Sequence, residues 1–338
     1  MNTVISIARL GNPPWPTLDP FLFCVHHNDA YPAGNEQLAP QASLAGRAIG
    51  QDFAGKDGWS MYHGDTVPGF PSHPHRGFET VTIVRQGRID HSDSLGATAR
   101  FGGGDVQWLT AGKGIVHCEM FPLLHSDAPN PSELFQIWLN LPARSKMAEP
   151  NFTMFWSENI PHIHATDAQG HKTEVVCIAG NVGGRQALPP PPDSWASAAE
   201  SDLGIFTIRM EPGAQWTLPA AQGDGTRRQL YYFVGNNLQV AGETVQRGSL
   251  VEVRAGDDCV LHNGDQVSEL LVLQGRPIGE PVAQYGPFVM NTQAEIQQTL
   301  NDYQRTGFGG WPWGRSDPVH PREQGRFARH ADGREESR

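Results

Sequence analysis

The chain has 338 residues, of which 38 are glycine and 27 proline, about one residue in five. Only 18% are charged, the formal net charge is -11, and nine Trp and fifteen Phe sit among 38% hydrophobic residues. These totals exclude a long-helix protein, a disordered chain and a non-specific nucleic-acid binder: Gly and Pro break helices, disorder lacks large apolar groups, and nucleic acid calls for a basic surface.

The length sets an expectation of about two domains. Residues 1–10 carry no secretory apolar region, and no run of about 18 apolar residues occurs, so the expectation is a cytoplasmic chain with no membrane contact. Cys24, Cys118, Cys177 and Cys259 lie far apart in sequence, which suits a reduced compartment better than a disulfide framework.

Short β signals follow one another along the chain. His73 and His75 form an H-x-H pair just before the β-branched run 78–84. Runs 106–109 and 115–120 follow, split by the Gly112-Lys113-Gly114 turn, and the second contains the H-x-E pair His117 and Glu119. A longer run covers 134–141. Four consecutive prolines, 189–192, read as a stiff extended loop. Runs 205–210, 229–234, 250–253 and 270–273 repeat the style of the first half. Strands at this spacing predict a sandwich or barrel. One helix is expected over 293–306: Thr292 and Glu295 fit a capping box, Ile296, Leu300 and Tyr303 share a face, and Gly307 stops it. Residues 314–338 are polar and Arg-rich and are expected to be a disordered, solvated tail.

An internal repeat supports two copies of one β-fold. Gly104-Asp105-Val106-Gln107-Trp108-Leu109-Thr110-Ala111-Gly112 aligns with Gly248-Ser249-Leu250-Val251-Glu252-Val253-Arg254-Ala255-Gly256, 144 positions on.

Residues i and i+2 of a strand share a face, so each of the two short pairs aims both side chains the same way. Two such strands side by side bring three imidazoles and one carboxylate to one point. That donor set suits Fe(II), Mn(II), Ni(II), Cu(II) or Zn(II), and it leaves coordination positions open for substrate. Glu79, four residues after His75, reads as an orienting neighbour rather than a ligand. Cys118 and Trp108 read as core, as does Trp138. His26, His27, His125, His162, His164 and His171 read as loop or surface histidines without metal-ligand spacing.

Three segments resemble the pirin family of bicupins. They are Ser72-His73-Pro74-His75-Arg76-Gly77-Phe78-Glu79-Thr80-Val81-Thr82, then the stretch from Gly104 to Gly112 with Ile115-Val116-His117 and Glu119-Met120 after it, then Gly279-Glu280-Pro281 with Gly286-Pro287-Phe288-Val289-Met290-Asn291-Thr292. The resemblance spans roughly residues 18–313. It implies an all-β chain of two jelly-roll-like cupin barrels facing each other, plus a short C-terminal helix. It also implies one metal in the N-terminal barrel alone, held by His73, His75, His117 and Glu119. Iron as Fe(II) is the family's usual metal, and Mn, Ni, Cu, Co and Zn are compatible. The expected division is an N-terminal cupin domain over 1–144, a metal-free C-terminal cupin domain over 145–313, and the tail. Shifted by 144 positions, the four ligands land on Thr217, Pro219, Leu261 and Asn263, so the second copy has no ligand set. His262 is one residue out of register, which turns it to the other strand face.

The implied activity is an oxidoreductase of the quercetin 2,3-dioxygenase type. A flavonol and O₂ would be its substrates, and Glu119 would serve as ligand and catalytic base. The alternative is a non-catalytic, iron- and redox-sensing regulator that acts through a protein partner without touching nucleic acid directly. In either case a monomer is expected.

Overall fold

The computed structural model describes residues 2–338. The chain divides into two compact units. Met1–Cys24 and Glu158–Gly279 form the first unit, and Val25–Ser157 with Glu280–Arg338 form the second.

In chain order the strands begin with β1 (Val4–Arg9), β2 (Phe21–Tyr31), β3 (Gly69–His75), β4 (Phe78–Gln86), β5 (Ile89–Asp93) and β6 (Thr98–Phe101). Next come β7 (Val106–Thr110), β8 (Ile115–Met120), β9 (Asn130–Asn140), β10 (Asn151–Phe155), β11 (His162–Thr166) and β12 (Lys172–Ala179). A two-residue ladder, β13 (Asn181–Val182) and β14 (Arg185–Gln186), precedes β15 (Gly204–Met210), β16 (Gln215–Leu218), β17 (Arg227–Val234) and β18 (Asn237–Val240). Then follow β19 (Glu243–Gln246), β20 (Ser249–Arg254), β21 (Cys259–Asn263), β22 (Ser268–Gly275), β23 (Ala283–Tyr285) and β24 (Phe288–Met290). After helix α1 (Gln293–Thr306) come β25 (Phe327–Arg329) and β26 (Glu335–Ser337). The expected all-β class with one short C-terminal helix is what the chain adopts.

The second unit pairs a sheet of order β10-β7-β4-β9-β2 with one of order β26-β25-β6-β5-β8-β3. The first unit pairs β1-β20-β17-β22-β15-β12-β11 with β16-β21-β18-β19. The two orders correspond: β7, β4 and β9 play the parts of β20, β17 and β22, while β3 and β8 play those of β16 and β21. The sequence repeat falls on β7 and β20, as the 144-residue offset requires. The interior of the first unit is hydrocarbon, built from residues such as Phe206, Leu218, Leu230, Val240, Val251 and Leu261.

The division differs from the expected 1–144, 145–313 and 314–338. β1 completes the C-terminal half's sheet by pairing with β20, so the N-terminal segment belongs to the first unit. β23, β24 and α1 return to the second unit. The tail is a further correction. β25 pairs with β6 and extends its sheet, and β26 pairs with β25. Arg100, fully buried, donates to Asp90 at 2.6 and 2.7 Å and to the carbonyls of His320, Pro321 and Gln324. A polar, Arg-rich composition thus closes a sheet edge, which is how edges are kept from pairing with other chains. His330 is buried and meets Glu336 at 2.8 Å, so it is not a solvated end.

The helix forms as its sequence dictates. The Thr292 side chain accepts from the Glu295 N–H, and the Glu295 carboxylate accepts from the Thr292 N–H. Gly307 stops it at φ 55°, in the left-handed region that favours glycine. Ile296, Leu300 and Tyr303 pack with Val116, Phe288 and Phe308, so the helix covers the back of β8. No helix among the described residues is long and apolar enough to cross a membrane.

Candidate metal centre

β3 and β8 lie antiparallel, with His73 directly opposite His117. The two-residue period then places His75 beside His73 on the same face. The three imidazoles form a nearly equilateral triangle, with ring centroids 4.5 Å (His73–His117), 4.8 Å (His73–His75) and 4.9 Å (His75–His117) apart. One ring nitrogen from each lies within 4.8 Å of the others.

Burial keeps these rings neutral. It pushes the His73 pKa down to about 4, against the opposing effect of the Pro71 carbonyl. His75 and His117 are also driven well below the ordinary value, first by burial and then by the neighbouring imidazoles. Neutral imidazole is the ligand form. The Pro71 carbonyl can only accept, so the His73 Nδ1 must donate at 2.8 Å, which leaves its Nε2 lone pair for a metal. Both ring nitrogens of His117 and the Nδ1 of His75 are buried with no hydrogen-bond partner. Orphaned buried nitrogens on two of the three converging rings are costly unless a ligand satisfies them, and the donor set therefore fits a divalent transition metal.

Glu119 occupies the same face of β8, but its carboxylate lies outside that 4.8 Å triad. Thr82 Oγ1 on β4 donates to its Oε1 at 3.2 Å, and Gln136 Nε2 on β9 donates to its Oε2 at 2.6 Å. Burial raises its pKa, and these two donors with the His91 ring oppose the rise. Glu119 is thus held between two sheets with its proton affinity raised.

His91 has no place in the motif reading. It sits on β5 opposite Glu119, fully buried, with its ring 5.4 Å from His117. Its Nε2 contacts Asp93 Oδ2 at 3.2 Å, which leaves Nδ1 unpartnered. The H-x-D spacing of His91 and Asp93 is the same two-residue period that revealed the other pairs. Thr80 and Gln107 were also not flagged; both are buried with unpartnered polar atoms. Gln107 faces Thr82 across β7 and β4, so it shares the site's side of the sheet.

Glu79 lies elsewhere. It alternates with Thr80 and Thr82 on β4 and so points to the opposite face, where Thr110 Oγ1 donates to it at 2.7 Å. Cys118, also on the far face of its strand, packs with Leu38, Val67 and Met120, and burial pushes its thiol pKa up. Trp108 is core, whereas the Trp138 ring sits 5.3 Å from His75 and 4.1 Å from Phe78 as a wall of the site. His27 corrects the surface assignment: it is buried on β2 beside Tyr62. His162 and His164 are exposed, as expected of surface histidines, and lie on strand β11.

The pirin family's pattern matches residues 9–139, and the pirin C-terminal cupin domain matches residues 205–309. A pirin-like protein of Caulobacter vibrioides is 36% identical over 252 residues, which cover 72% of this chain and 82% of that one. A Pseudomonas aeruginosa protein named "Putative quercetin 2,3-dioxygenase" is 34% identical over 240 residues, covering 71% of this chain and 79% of that one. Among solved structures, a quercetin 2,3-dioxygenase from Acinetobacter baumannii superposes with a TM-score of 0.70 at 26% identity, covering 92% of this chain and 99% of that one.

Proposed function

The chain belongs to the pirin family, and from that premise we propose that it is a metal-dependent dioxygenase opening the ring of a flavonol such as quercetin. The observation that carries this reading is the triangle of buried, neutral His73, His75 and His117 with Glu119 held beside it. These four side chains would hold one divalent ion, Fe(II) first among Mn, Ni, Cu, Co and Zn. Bound there, the ion supplies Lewis acidity toward the flavonol hydroxyl and a site for dioxygen.

The chain's own residues do the rest. Glu119 takes the substrate hydroxyl proton; burial has already raised its affinity for one. Thr82 and Gln136 each donate to one of its oxygens, fixing its direction while leaving a lone pair on each. Phe78, Trp138 and Phe70 surround the imidazoles with aromatic surface that suits a flat ring system. His117 and Glu119 are 0% and 2% exposed, so bulk water is kept from the reacting group.

The test is anaerobic reconstitution with each candidate metal, followed by quercetin turnover under O₂. Ring-opened product with release of carbon monoxide is expected. Absence of product with every metal overturns the proposal. Glu119→Gln should lower kcat by about 10²–10⁴-fold, the range for loss of a general base.

A further inference from the structure

The second candidate cluster of imidazoles and carboxylate lies in the first unit and shares no residue with the buried triad and Glu119. β11 is the edge strand of its seven-stranded sheet and pairs only with β12. His162 and His164 are two residues apart on β11 and share its outer face, because Ile163 between them packs against the hydrocarbon core. Glu174 on β12 stands directly opposite His164. His162 Nδ1 lies 2.8 Å from Glu174 Oε1. One donor atom from each of the three residues falls within 4.8 Å of the other two.

We propose that His162, His164 and Glu174 form a second, solvent-facing site for a divalent transition ion, Zn(II) foremost. Two imidazole nitrogens and one carboxylate oxygen are a borderline-soft donor set that zinc, copper and nickel accept and that magnesium and calcium do not favour. A tetrahedral zinc with bonds of about 2.1 Å needs its donors about 3.4 Å apart. The observed cluster brackets that spacing, so small side-chain rotations on an exposed strand complete it. Two of the donors come from one strand by the two-residue period, and the third comes from its neighbour by register. The backbone therefore pre-aligns the site without any loop having to order. Arg209, opposite Glu174 on β15, lies 3.6 Å from Glu269. The remaining coordination positions face solvent, so the ion exchanges freely and ties the edge strand to β12 when bound.

The experiment uses the full chain, stripped with chelator and brought to equilibrium with Zn(II) by dialysis, with bound zinc taken as the excess over the dialysate in elemental analysis. The His164→Ala variant is expected to bind one zinc fewer per chain than the parent. Glu174→Gln should weaken that same ion at least tenfold. A His73→Ala/His117→Ala variant should retain it, which separates this site from the buried triad. In the parent, Zn(II) should slow hydrogen exchange of the β11 amides, and His164→Ala should abolish that effect. Equal zinc counts in parent and His164→Ala, with no zinc-dependent protection of β11, overturn the proposal and leave the three residues as a hydrogen-bonded strand edge.

Discussion

The two β units share one strand order and fill it with opposite chemistry. In the first, the positions matching the four proposed ligands are Thr217, Pro219, Leu261 and Asn263. Leu218 and Leu261 join a hydrocarbon core there, and Asn263 Nδ2 donates to the carbonyls of Met210, Glu211 and Gln266 at 3.2, 2.8 and 2.7 Å. In the second, the same strands turn His73, His117, Glu119, Thr82, Gln107 and Gln136 inward. Several of their polar atoms have no partner, each costing about 1–3 kcal/mol when buried alone. The sheet topology therefore sets where side chains converge and leaves open what converges.

The largest effects should come from exchanging these roles. His117→Ala removes the imidazole with two orphaned nitrogens. In a His164→Ala background, where the exposed cluster cannot contribute, metal affinity should fall by more than the ~100-fold that loss of an outer partner can cost. Elemental analysis and competition titration measure it. Unchanged affinity would break the division between a polar and a hydrocarbon unit at its base. The converse change is Phe206→Ala in the first unit's core. It should lower unfolding free energy by about 3–5 kcal/mol in urea denaturation while leaving affinity at the triad unchanged. A drop in affinity would mean that the hydrocarbon unit also tunes the site.

Much of this contrast was legible in the sequence, and the reasons are specific. His73/His75 and His117/Glu119 each sit two apart, and strand period alone puts such pairs on one face. The repeat at Gly104 and Gly248 disclosed the second copy and its missing ligands. The capping box fixed the first residue of α1 and Gly307 its last. Three things were not legible. β1 pairs with β20 across some 240 residues, and no local signal reports so distant a pairing. The tail looked disordered because its order comes from backbone pairing to β6 and from Arg100 gripping its carbonyls, neither of which needs apolar residues in the tail. Glu174 was missed because it meets its partners across strands, through register rather than spacing, and His91, although its H-x-D spacing was there to read, reaches the triad only by the pairing of β5 with β8.

Acid should sharpen the comparison next. Burial, with a smaller contribution from His26, pushes the His27 pKa down from 6.5 to about 3. Between those values the unfolded chain binds the proton that the folded chain refuses. The stability is therefore fully present above pH 6.5 and is lost as pH falls toward 3, by an amount on the order of a few kcal/mol. The first unit exposes His162, His164 and His262, so the acid loss should appear in amide exchange of the second unit. His73, His75 and His117, also held below the ordinary value by burial, share this loss, so His27→Phe should remove one part of it, and an unchanged pH profile would place the sensitivity in those three rings alone.

The smallest change makes one position of the polar unit resemble the apolar one. Gln136→Leu removes the 2.6 Å donor to Glu119 Oε2 and leaves the carboxylate buried with Thr82 alone. Its proton affinity should rise further, because hydrogen bonds to the charged form are what oppose the rise caused by burial. Metal affinity should fall about 10–100-fold, the range for loss of an outer hydrogen bond. The loss should be steeper at low pH, where the proton competes best for Glu119. Thr82→Val, which removes only the longer 3.2 Å bond, should do less. If the two variants weaken binding equally at all pH values, Glu119 is positioned by strand register alone, and its two donors merely satisfy a buried charge.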